Sequence, residues 1–360
     1  MKIGYFNMPL HPPGSDFQQT LHDDLEQIEI LDSLGYTEAW IGEHFTAEWE
    51  NIPAPDLFIV SALNRTKNIK IGTGVTCIPN HNPFVLAHRI AQLDHMAKGR
   101  FLWGVGSGGF PGDFSVLGID PKSGKQRTIT RESLDLILDF WKNPKPGKYK
   151  NEFWNFNVPE TNEAIGLRFH MKPYQLPHPP IAVAGVAPKS ETLTLAGERG
   201  YIPMSINITP PQITKSHWDT VENAAKLTGK TADRNQWRIA RNVCVADSSE
   251  EAYDLAVNGI MGRDWDEYFM PLLSLMKQLD ILKIDPSLPD SVITKEYMAE
   301  HIWIIGDPDQ VAQKIRNLYN TVGGFGTLLT MGSEWSPRKE WVRSHELLIT
   351  VVLDKLKDLG

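Results

Sequence analysis

Phe101-Leu102-Trp103-Gly104-Val105-Gly106-Ser107-Gly108-Gly109 is an apolar run that gives way to glycines, and its reading decides the fold. A short apolar run bounded by turn residues reads as a strand buried on both faces. The glycines formally match G-x-G-x-x-G, the fingerprint of a dinucleotide-binding turn. That fingerprint needs a helix to open directly and an acidic residue about 20 residues on, at the end of the next strand. Phe110-Pro111-Gly112-Asp113 does not read as a helix start, and neither Asp120 nor Glu132 ends a following strand. The glycines are better read as backbone that turns tightly where a strand ends.

Outward from this stretch, strand and helix signals alternate in both directions. Upstream, Lys2–Asn7, Glu38–Gly42 and Ile69–Cys77 read as strands. Between the first two, Leu21, Leu25, Ile28 and Leu31 recur at helical spacing before Gly35, and further helices are expected over 55–66 and 83–98. A long helix ends near Trp141. Downstream, Pro180–Ala184, Tyr201–Ile206, Trp237–Ala246 and Phe325–Met331 read as strands, with helices near 188–199, 211–228, 248–261 and 308–321. The last helix opens with Asp307-Pro308-Asp309-Gln310, which supplies an N-cap, a proline at N1 and a capping-box partner.

Eight strands buried on both faces, each followed by a helix, predict an α/β fold: one TIM-like (β/α)8 barrel over 1–360. A doubly wound open sheet is the competing arrangement. Two stretches break the rhythm. Residues 144–179, after the fourth strand, carry a possible hairpin at Tyr149–Phe156, and residues 262–300 separate the seventh and eighth strands. Long excursions of this kind are functional lids or disordered segments.

With 360 residues, 41% of them hydrophobic, the chain can bury a large core. Its formal net charge of -8 and lack of a basic tract argue against nucleic acid or anionic membrane surfaces as partners. No leader pattern and no apolar run of membrane-spanning length is read, so a soluble, cytoplasmic protein is expected. Cys77 and Cys244 lie in apolar strand segments and read as small buried hydrophobes. Neither H-E-x-x-H nor C-x-x-C occurs, so no metal site is expected, and Gly106-Ser107-Gly108 does not fit a serine-hydrolase elbow.

Barrel active sites lie at the C-terminal ends of the strands. That rule singles out Glu43-His44 after the second strand and Gly72–Thr76, with His81 beyond, at the third. It also singles out Gly104–Gly109 after the fourth and Ala184-Gly185-Val186-Ala187 after the fifth. A lone histidine is usually structural. His44, at a strand end beside a carboxylate and ahead of aromatics, reads as a general acid or base with Glu43 tuning its protonation. Trp103, Trp154 and Trp265 are candidate pocket walls, with core filling as the alternative.

These motifs, in this order, resemble the luciferase-like flavin-dependent monooxygenases. The similarity runs from Gly35-Tyr36 and Trp40-Ile41-Gly42-Glu43-His44, through Gly72-Thr73-Gly74 with Pro79 and Pro83, to Leu93-Asp94 and Gly99-Arg100-Phe101. It continues in Ser190 ahead of Ala196-Gly197 and Gly200, and in Gly306-Asp307-Pro308. Within that superfamily the chain looks most like the diketocamphane monooxygenases, type II Baeyer–Villiger enzymes. Trp49-Glu50-Asn51-Ile52-Pro53, Ala196-Gly197-Glu198-Arg199, Trp265 to Pro271, and Ala299-Glu300-His301 with Trp303 carry that similarity.

The resemblance implies a two-component monooxygenase that takes FMNH2 from a separate NAD(P)H:flavin reductase. Through a flavin C4a-peroxide it would insert one atom of O2 into a small hydrophobic substrate, a cyclic ketone or terpenoid. It places His44 beside the flavin and a cis peptide at Gly74-Val75, next to Thr73, against the ring. Gly106, Ser107, Gly185, Val186 and Ala187 would line the flavin site, and Ser190 would stand near a helix N-terminus suited to the phosphate. Segment 262–300 would close the barrel mouth, and a homodimer is expected. Luciferase's α subunit has a reactive cysteine where this chain has Gly106, so light emission is not implied. The same barrel also serves F420-dependent dehydrogenases and non-catalytic flavin-binding proteins.

Overall fold

The apolar runs form strands that run parallel and close on themselves. The computed structural model describes residues 1–359. In chain order the barrel strands are Lys2–Asn7 (β1), Glu38–Ile41 (β2), Lys70–Cys77 (β3), Phe101–Gly106 (β4), Ile181–Gly185 (β5), Ile202–Ser205 (β6), Arg238–Arg241 (β7) and Thr327–Met331 (β8). Each pairs with its neighbour in sequence, and β8 pairs with β1 from Lys2↔Thr327 to Phe6↔Met331, which completes the circle. The closed parallel barrel is therefore observed and the open sheet is not.

Inside the barrel, Trp40, Leu102, Ala182, Met204, Ala240 and Leu329 pack together, while a larger apolar layer joins the strands to the outer helices. At the N-terminal end of the strands, Arg238 donates through Nε and Nη2 to the two carboxylate oxygens of Glu38, each at 3.0 Å. Both residues are buried, so this bidentate pair plugs the floor of the barrel. The side of the barrel left for chemistry is the opposite, C-terminal mouth.

Local signals fix several helix ends. Asp16 caps the helix Phe17–Leu34 by accepting from Gln19 N, and Gly35, at φ 91°, takes the left-handed turn that ends it. Asp307 caps the helix Pro308–Val322 through the backbone N–H groups of Asp309 and Gln310. Close approach of β3 and β4 depends on Gly104, where a Cβ would fall 1.9 Å from the Thr73 carbonyl oxygen. The β3–β4 register slips between Thr73 and Thr76, and within that slip the Gly74–Val75 peptide is cis.

Three sequence expectations need correction. The run Trp237–Ala246 is not one strand. It breaks at Asn242, beyond which Val243–Val245 leaves the barrel and pairs with Ile304–Gly306 instead. Burial hides such a change of partner, because Arg238–Arg241 and Val243–Val245 both remain buried on either side of Asn242. Second, a short helix does follow the glycines, at Pro111–Val116, with proline in its first turn where its fixed φ is tolerated. Third, β2 stops at Ile41, one residue early. The hairpin after the fourth strand is present as antiparallel Gly147–Lys150 and Asn155–Val158. Segment 262–300 is mostly short helical turns, ending in the helix Lys295–His301. No helix among the described residues is long and apolar enough to cross a membrane.

Candidate active site

Two cavities open side by side at the mouth and share a wall. The inner one, about 290 Å³, is apolar: Phe6, Met8, Met204, Leu329 and Met331 form its floor and sides. Phe269, Leu272, Leu273 and Met276 of the 262–300 segment close over it. The outer one, about 570 Å³, is more polar and includes Ser107, Arg127, Ala187, Lys189 and Ser190. His44, Gly74, Val75, Gly109, Ala184 and Val186 border both.

His44 stands at that junction between two carboxylates. Its Nε2 lies 3.0 Å from Glu50 Oε2 and its Nδ1 lies 3.2 Å from Asp113 Oδ2. Burial alone would drive the proton off the ring. The charge of Glu50, with the contact to Asp113, outweighs it and pushes the His44 pKa up to about 10. His44 is thus an imidazolium at neutral pH, with a carboxylate oxygen close to each ring nitrogen, and the Nδ1–Asp113 contact is the one with hydrogen-bond geometry. Asp113 is itself anchored: Phe45 N, Thr46 N and Thr46 Oγ1 all donate to Oδ1, at 3.2, 3.0 and 2.7 Å. Burial works against the Asp113 anion, but the His44 and Thr46 contacts hold its pKa below the ordinary carboxylate value.

Glu43 does not tune His44. Both residues lie past the end of β2, and Glu43 Oε1 accepts from Asn80 Nδ2 at 2.9 Å and meets His81 Nε2 at 3.0 Å. It still borders the outer cavity. The partners that sequence reasoning missed are Glu50 and Asp113. Glu50 stood in the quoted stretch Trp49–Pro53, and Asp113 followed the glycine string, but neither spacing reveals contact with His44.

Of the other expected site residues, Gly74, Val75, Gly106, Ser107, Val186, Ala187 and Ser190 come together around the outer cavity. A Cβ on Gly106 would fall 2.5 Å from Val75 Cγ2, so glycine there lets the end of β4 meet Val75. Thr73 and Gly185 stand back in the wall. The Thr73 hydroxyl donates to the Gly104 carbonyl at 2.8 Å, and Gly185 lies against Leu193, into which a Cβ would run. Ser190 precedes the helix Glu191–Arg199 but makes no side-chain cap; its hydroxyl is shared with Thr192 Oγ1 at 2.7 Å. The first-turn N–H groups are therefore left without a side-chain acceptor, with Arg127 and Lys189 nearby on the same cavity wall.

The expected tryptophan walls are not found. Trp103 and Trp265 are buried in the core, and Trp154 lines an outer groove with Asn80 and Phe153. Methionine, phenylalanine and leucine wall the inner cavity instead.

The chain is similar to known proteins over nearly its whole length. The chain is 36% identical to 4-hydroxyprotoasukamycin monooxygenase of Streptomyces nodosus subsp. asukaensis, over 98% of this chain and 91% of that one. It is 30% identical to 3,6-diketocamphane 1,6-monooxygenase of Pseudomonas putida, over 99% and 98%. The solved structure of the oxygenating constituent of 3,6-diketocamphane monooxygenase from Pseudomonas putida, in complex with FMN, superimposes with a TM-score of 0.90 at 30% identity, covering 99% of this chain and 98% of that one. Residues 1–324 match the family described as luciferase-like monooxygenase, and it is to this family that the chain belongs.

Proposed function

We propose that this protein is the oxygenating component of a two-component flavin monooxygenase, acting on a small apolar ketone. One observation carries the reading: an apolar cavity and a polar one meet at Gly74–Val75, beside a histidine held as a cation. The residues fit FMN. The outer cavity offers an anion two cations, Arg127 and Lys189, and a helix start without a side-chain cap. The junction offers a flat ring system the glycine-lined edge of Gly74, Gly106 and Gly109. Reduced FMN, when bound, supplies the electrons that let one atom of O2 be transferred.

The chain's own contribution is positioning and exclusion of water. Phe269, Leu272 and Met276 cover the inner cavity, which keeps solvent from the site of transfer. His44 stands at the boundary of the two cavities with its charge balanced by Glu50 and Asp113, one against each ring nitrogen, so its part is to fix the segments that border both cavities and not to shuttle a proton. Asn207 and Gln278 are the uncharged polar side chains of the inner cavity placed to orient a carbonyl, whereas the Ser205 hydroxyl is taken up by His217 Nδ1 and Trp237 Nε1. About 290 Å³ of apolar space suits a compact cyclic ketone or terpenoid.

Reduced flavin would come from a separate NAD(P)H:flavin reductase, a reading supported by the solved relative being the oxygenating constituent of its monooxygenase. The homodimer implied by the resemblance would cover the exposed Leu57 and Val85, on the helices Pro55–Arg65 and Pro83–Ala97. Light scattering of the purified chain tests it. The activity test combines the chain, a flavin reductase, NADH, FMN, a bicyclic ketone and isotopically labelled dioxygen. A lactone bearing one labelled oxygen is expected. Full flavin turnover with no labelled product from any of a panel of cyclic ketones would overturn the substrate class.

A further inference from the structure

Tyr268 lies in a single π-helical turn, Trp265–Phe269, set between the helical turns Ile260–Asp264 and Met270–Leu275. A π turn breaks the 3.6-residue rhythm and is frequent at functional sites. Here Phe269, Leu272, Leu273 and Met276 line the inner cavity, whereas Tyr268 reaches the loop after β2. Its hydroxyl donates to Glu50 Oε1 at 2.5 Å, while Glu50 Oε2 is the atom 3.0 Å from His44 Nε2. The Tyr268 ring stacks on Trp49, with centroids 5.5 Å apart, and the guanidinium of Arg263 lies 5.8 Å from the Trp49 ring centre. Arg263 is held in turn by Asp264 and Glu334.

Glu50 is 4% exposed, so its carboxylate depends on protein partners for its orientation. The cavity roof supplies one of them and His44 the other. We propose that Tyr268 is a positioning residue, whose hydroxyl holds Glu50 in the orientation that faces His44 and so ties the roof of the inner cavity to the charge at its wall. The proposal rests on the reading of His44 as the charged group of the site. The tie is reciprocal: loosening the roof frees Glu50, and disturbing Glu50 loosens the roof. The charged groups facing His44 are Glu50 and Asp113, and Tyr268 acts on the first of them.

The test uses the full chain without flavin, so that its failure leaves the proposed activity standing. Tyr268→Phe keeps the ring and its stack on Trp49 and removes one donor. Loss of a hydrogen bond to a charged group should quicken amide hydrogen exchange across 260–276 about tenfold or more, with the barrel strands unchanged. The ring-nitrogen NMR resonances of His44 should move as well. Tyr297→Phe is the control. Its hydroxyl is buried in the same segment, donating to Leu282 O and accepting from Ile284 N, away from His44. That variant should leave the His44 resonances in place. Unchanged exchange across 260–276 in Tyr268→Phe would overturn the proposal. So would faster exchange with unmoved His44 resonances, because Tyr268 would then be holding the roof alone.

Discussion

Glu50 Oε2 lies 3.0 Å from His44 Nε2, and the two residues face each other in a pocket that leaves Glu50 only 4% exposed. An imidazolium in such a place is stable only because the carboxylates on either side outweigh the cost of burial. His44 should therefore remain protonated far above the ordinary histidine range.

The pH dependence follows from the direction of each shift. His44 is raised from 6.5 to about 10, so its contribution to stability is complete below the unfolded value and is lost as pH rises through about 10. Asp113 is lowered from 3.8, so its contribution is present above that value and is lost as pH falls through its folded value. Between 3.8 and 6.5 the cluster's contribution to stability should be constant; between 6.5 and about 10 it should fall as pH rises, although folded His44 stays protonated. An NMR titration of the His44 ring checks this directly; titration near 6.5 would show that the carboxylates do not hold it.

Substituting each glutamate separates the two beside this histidine. Glu50→Gln keeps the shape of the side chain and removes its charge, and should lower the His44 pKa by at least one unit, or about 1.4 kcal/mol. Glu43→Gln should leave the His44 titration where it is and disturb only Asn80 and His81. The reverse pattern would restore Glu43 as the partner of His44.

That exchange of partners shows what the sequence makes legible. The barrel strands could be read because burial on both faces leaves a continuous apolar signature, and His44 because position at a strand end is a property of local order. Asp113 could not, since its contact with His44 spans 69 residues and joins the ends of two strands. Adjacency pointed to Glu43, but its carboxylate turns to Asn80 and His81 instead. The tryptophans failed for a related reason: large apolar side chains are equally suited to core and cavity, and only tertiary packing decides. Asn242 is the third kind of loss, a change of strand partner inside one buried stretch.

Gly104→Ala should destabilise the barrel. The added Cβ would sit 1.9 Å from the Thr73 carbonyl oxygen, which belongs to the backbone of the paired strand and cannot rotate away. Overpacking that forces the backbone to shift costs about 1–3 kcal/mol, and a clash with backbone belongs at the upper end. Gly109→Ala, with nothing within 4 Å of its Cβ, should stay within about 0.5 kcal/mol of the parent. Urea unfolding of the two variants measures the contrast, and equal midpoints would refute the steric account.

The place of the phosphate can be tested by comparing FMN with riboflavin, which lacks it. If the outer cavity holds the phosphate, FMN should bind at least about tenfold more tightly than riboflavin, a difference of about 1.4 kcal/mol. Arg127→Ala should remove most of that difference and leave riboflavin affinity unchanged. Arg127 also pairs with Glu191, Nη1 to Oε2 at 2.9 Å, so Glu191→Gln should free the guanidinium and tighten FMN alone. Both side chains are more than half exposed, so raising salt should weaken FMN binding while sparing riboflavin. Equal affinities for the two ligands in the parent protein would place the phosphate away from Arg127 and the Ser190 helix start, leaving the apolar junction at Gly74–Val75 as the source of flavin affinity.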